Sequence, residues 1–83
     1  MNLDKAVELL KIVSMIPVGN LAKHPEVRIV RATGEVMARG YTLSIEKKSA
    51  DVDYRNHLSE IAKSQKLAIL ESDRHIILYR KSA

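Results

Sequence analysis

Two segments near the end of the chain, Leu67 to Glu71 and His75 to Arg80, are apolar at both parities of a β-strand. Ala68, Leu70, Ile77 and Tyr79 fall on one side; Leu67, Ile69, Ile76 and Leu78 fall on the other. Successive strand residues point to opposite faces, so a hairpin built this way has neither face suited to water. It belongs at a sheet centre or must be covered on both sides. Asp73–Arg74 supplies the turn between its strands.

The chain that must accommodate this hairpin is short. Its 83 residues suit one small domain, 1–83, with no room for a second core. There is no Trp, Phe or Cys, so the core is aliphatic and only Tyr41, Tyr54 and Tyr79 supply rings. Without cysteine there is no disulfide framework, no cysteine-ligated zinc and no thiol nucleophile. Small domains that lack such staples commonly gain stability by oligomerising.

Upstream, Asn2 to about Met15 reads as a first helix, with Asn2 as cap and Asp4 in the first turn. Its apolar positions sweep roughly 220° of the circumference, about twice the arc of a one-sided surface helix. Pro17 and Gly19 end it, and an irregular stretch runs from Pro17 to Pro25. Val27 to Ala32 and Glu35 to Lys47 read as strands joined by a two-residue turn at Thr33–Gly34, which sets Ile29 against Ala38 and Arg31 against Val36. The alternation of Tyr41, Leu43 and Ile45 is out of phase with Val36 and Ala38, so a bulge or glycine kink is expected near Arg39–Gly40. Ser49 or Asp51 caps a second helix, about Val52 to Lys66, with a one-sided stripe of Tyr54, Leu58, Ile61 and Ala62.

The expected fold class is therefore α+β: a two-layer sandwich in the order αββαββ, its four-stranded, mainly antiparallel sheet carrying two helices on one face. That arrangement leaves one face of the last hairpin apolar and bare. Self-association as a homodimer resolves the conflict, and Leu67, Ile69, Ile76 and Leu78 are taken as the interface.

Function classes narrow mainly by exclusion. None of Gly19, Gly34 and Gly40 falls in a phosphate-loop or dinucleotide-binding spacing, no serine lies in a nucleophile elbow, and no catalytic residue, metal site or cofactor is expected. Asp53, His57 and Glu60 share helical spacing, yet such charges usually form a solvated face. His24, before Pro25, makes the 17–25 loop a place for a ligand contact, against the plainer reading of a stiffened connector. The net charge is +4, and residues 1–40 and 41–83 each carry a surplus of two basic groups, so neither half is a basic tail. Arg55, Lys63, Lys66, Arg74, Arg80 and Lys81 are the candidates for contact with nucleic-acid phosphates.

The longest uncharged run, Ile12 to Ala22, is far short of the roughly 20 apolar residues of a membrane span. Asp4 and Glu8 interrupt the region that a signal peptide keeps basic, and a cytoplasmic location is expected. The expected function is a non-catalytic homodimeric binding module that contacts nucleic acid through its basic surface. The alternative is a protein–protein adaptor, and a third reading puts small-molecule binding or catalysis at the 17–25 loop.

Overall fold

Helix α1, Leu3–Ser14, starts where the sequence offers a cap: Asn2 is extended and its side chain accepts the Lys5 backbone N–H at 2.8 Å. The computed structural model describes residues 1–18, 24–32 and 40–81. Within them the chain continues through strands β1 (Val27–Arg31) and β2 (Tyr41–Glu46), a short 3-10 turn (Lys47–Ser49), helix α2 (Val52–Ser64), and strands β3 (Ala68–Glu71) and β4 (His75–Tyr79). Asp51 is the residue that caps α2, accepting the Tyr54 N–H at 2.8 Å. The helix stops short of the expected end because Lys66 turns left-handed (φ 58), and Leu67 N–H closes onto Ala62 O at 2.7 Å.

The strands form one antiparallel sheet in the order β1-β2-β4-β3. Its centre is the β2–β4 pair, in which Leu43 lies opposite Leu78 and Ile45 opposite Ile76. These four residues are buried together with Ala6, Leu9 and Val13 of α1 and Tyr54, Leu58 and Ala62 of α2 in a single apolar core. Helix α1 packs over β1 and β2, and α2 over β3. A fully buried Leu or Ile contributes on the order of 2 kcal/mol, which identifies this layer as the main source of stability. Helix α1 has more apolar surface than the core takes up: Leu3 and Val7 remain exposed on one flank.

The first hairpin differs from the sequence expectation. Ile29 lies opposite Leu43 and Arg31 opposite Tyr41, not opposite Ala38 and Val36. Register follows the side chains to be buried, and pairing Val27 and Ile29 with Ile45 and Leu43 keeps all four on the core side; the Thr33–Gly34 signal was only local. Residues 33–39, with that dipeptide, the expected start of the second strand, Ala38 and Arg39, lie outside the described residues. The backbone is irregular at Gly40 (φ 78), next to which the Met1 backbone docks: Tyr41 N–H donates to Met1 O at 2.8 Å. The second hairpin turns at Asp73–Arg74 as expected, with Ser72 N–H donating to His75 O at 2.8 Å.

Candidate functional site

The strand register fixes what the sheet presents away from the core. Val30, Thr42 and Ala68 share one row with Tyr79, which follows Leu78 and pairs with Ala68. Arg28, Ser44, Ile77 and Leu70 form the next row, and Glu46 and His75 the last. Ala68, Leu70, Ile77 and Tyr79 thus make a contiguous apolar patch over β3 and β4, with Val30 across the sheet. Leu70 and Val30 are 37% and 40% exposed, and Ala68, Ile77 and Tyr79 are half-buried. Thr42 is buried among them, its hydroxyl donating to Val30 O at 3.1 Å.

The four residues read from the sequence as an interface take different places in the fold. The two sets of alternating residues separate as expected, but Ile76 and Leu78 are 2% and 0% exposed and belong to the core. Leu67 is half-buried against the same core, whereas Ile69, which pairs with Leu78 on the core side of edge strand β3, is 40% exposed. The set Leu67, Ile69, Ile76 and Leu78 therefore faces the helices. The physical reason is the pairing of β4 with β2, which aligns Ile76 and Leu78 with Ile45 and Leu43. The set on the opposite face is Ala68, Leu70, Ile77 and Tyr79, of which Leu70 is exposed and the others are half-buried.

The six candidate basic residues also divide. Arg55 and Arg74 lie at the end of the sheet where β4 begins, beside the 3-10 turn and the start of α2. There Lys47 and Arg55 both reach Glu71, at 3.7 and 3.6 Å, and the Arg55 Nε–H donates to Ala50 O at 3.2 Å. A cleft of about 780 Å³ opens at this end, where Lys47, Lys48, Arg55 and Arg74 share the walls with Glu46 and Asp73. With Glu71 beside it, the cleft is close to charge-balanced. Arg28 at the same end is held by Glu26 at 2.6 Å.

Lys63, Lys66, Arg80 and Lys81 lie at the opposite end. The Ala68–Tyr79 pair brings the exit of α2 beside the exit of β4, and the Lys5 Nζ donates to Gln65 Oε1 at 2.6 Å, bringing the first turn of α1 to the same place. Arg31 joins them across Tyr41, its guanidinium 5.8 Å from the ring centre. Burial, and secondarily Arg80, lowers the pKa of the Met1 amino group, which donates to Tyr41 O at 3.2 Å. The sequence halves conceal this clustering because the antiparallel turns sort charges by height along the sheet, not by order in the chain.

The histidines show no assembled chemistry among the described residues. His57 Nδ1 lies 2.8 Å from the backbone oxygen of Asp53, so the ring meets the helix backbone and not the carboxylate. His24 is exposed, and residues 19–23 of its loop lie outside the described residues. His75 opens β4 opposite Glu46. Among the described residues no helix is long and apolar enough to cross a membrane. No family model, curated protein or solved structure matches this chain.

Proposed function

We propose that this chain is a non-catalytic binding module, a two-layer αββαββ sandwich with both helices on one face, that acts as a homodimer through the other face. The observation that carries the reading is the apolar patch of Ala68, Leu70, Ile77 and Tyr79 on the side of the sheet away from the core. The patch supports a second copy as occupant because the polar margin of the same face holds both signs, Arg28 beside Glu26 and Glu46. A twofold axis through the face lets each margin meet apolar surface or opposite charge, and the same residues serve both chains. Sheets stacked face to face pack about 10 Å apart with interdigitating side chains, which suits the medium-sized residues present.

Size sets the strength. Four strands about 4.8 Å apart and about 17 Å long give a footprint of roughly 300 Å². That is well below the roughly 800 Å² per partner of a standard interface, so we expect a weak pair that dissociates on dilution. The absence of cysteine suits a cytoplasmic setting.

The cysteine-free chain allows a clean test. Ile77→Cys, treated with a short bis-maleimide, should give a covalent dimer in high yield, while Lys63→Cys on the outer face of α2 should not. Equal yields at both positions would contradict the reading.

A further inference from the structure

We propose that the end of the domain carrying Lys63, Lys66, Arg80, Lys81 and Arg31 contacts the phosphate backbone of nucleic acid. The fold builds this surface from segments far apart in sequence. Lys63 and Lys66 come from the exit of α2, Arg80 and Lys81 from the exit of β4, and Arg31 from the last position of β1. The Ala68–Tyr79 and Arg31–Tyr41 pairs hold the three exits at one end of the sheet.

Two observations separate this end from the other basic groups. First, among the described residues no ion pair engages any of these five side chains, whereas at the other end Arg28, Lys47 and Arg55 are paired with glutamates and Lys48 and Arg74 are not. Second, among the described residues most carboxylates lie elsewhere: Glu26, Glu46, Asp51, Asp53, Glu71 and Asp73 are toward the end where β4 begins. At the basic end, Asp4 stands in the first turn of α1, Glu8 is paired with Lys5 at 3.9 Å, and Glu60 lies one turn before Lys63. Among the described residues, this end with Lys5 holds six cations against three carboxylates, and the remainder is balanced at six against six.

The chemistry favours a repeating phosphate polyanion. Arginine presents a planar fork that fits phosphate oxygens, and lysine adds a mobile point charge. Several clustered cations at one end match closely spaced phosphates better than one isolated anion, and binding of this kind releases counterions and weakens steeply with salt. Recognition through the backbone alone is sequence-independent. An anionic membrane is the less favoured occupant, because surface-seeking segments carry their basic residues along one amphipathic helix, whereas these five come from the exits of a helix and two strands.

The test measures anisotropy of a fluorescent mixed-sequence duplex with the full chain at low salt, and then across a salt series. Lys63→Glu with Lys66→Glu should weaken binding by at least about tenfold and lower the log–log salt slope by about two. Lys48→Glu with Arg74→Glu makes the same change in net charge at the other end and should shift affinity by less than about threefold. Arg80→Ser with Lys81→Ser repeats the test outside any helix, should the α2 variant melt early. No binding at low salt, equal losses from both ends, or binding confined to phosphatidylserine vesicles would overturn the proposal. None of these outcomes bears on the oligomeric state, which is read separately by mass.

Discussion

The carbonyl oxygen of Met1 occupies the space that a side chain on Gly40 would need. A β-carbon on Gly40 would fall well inside van der Waals contact with that oxygen, and Gly40 also has φ 78, where side chains are strained. Both features serve one junction, the docking of Met1 against the first residue of β2.

Gly40→Ala should accordingly destabilise the domain by about 2 kcal/mol or more, combining the left-handed penalty of about 1 kcal/mol with displacement of Met1. Urea denaturation measures it. A loss under about half a kcal/mol would show that the junction yields freely.

Leu58 and Ile61 share the apolar stripe of α2, but only Leu58 is fully buried, at 1% exposure; Ile61 is partly covered. Leu58→Ala should cost about 2–5 kcal/mol and Ile61→Ala distinctly less. Equal losses would mean that α2 is rotated about its axis relative to this description.

Tyr54 is 1% exposed, and burial raises its phenol above the ordinary value of 10.0. The folded chain then holds this proton more tightly than the unfolded chain does. The contribution is complete below the ordinary value and is lost as pH rises through the raised one. Between about pH 9 and about pH 11 the unmodified protein should lose more stability than Tyr54→Phe, as followed by urea midpoints. Parallel losses in the two proteins would contradict this.

Local signals made the second half of the chain the more legible. Asp51 as cap, the stripe from Tyr54 to Ala62 and the turn at Asp73–Arg74 each depend on neighbours within a few residues, and each is found in the structure. The first hairpin was misread for the converse reason: Thr33–Gly34 is a local turn signal, while the register is decided by burial of Ile29 with Leu43. The last hairpin showed that both faces are apolar without showing which is covered. Ile76 is no more apolar than Ile77, and only pairing with Ile45 of a distant strand distinguishes them. The grouping of Arg31 with Arg80 was hidden likewise, because it requires the sheet order.

Self-association through Ile77 and its neighbours is the central claim, and sedimentation equilibrium tests it most directly. At tens of micromolar the unmodified chain should show twice its mass of 9.3 kDa and dissociate on dilution. Ile77→Lys should remain folded by circular dichroism and sediment as a monomer. A single 9.3 kDa species for the unmodified chain at every concentration, or a dimer that survives Ile77→Lys, would contradict the account.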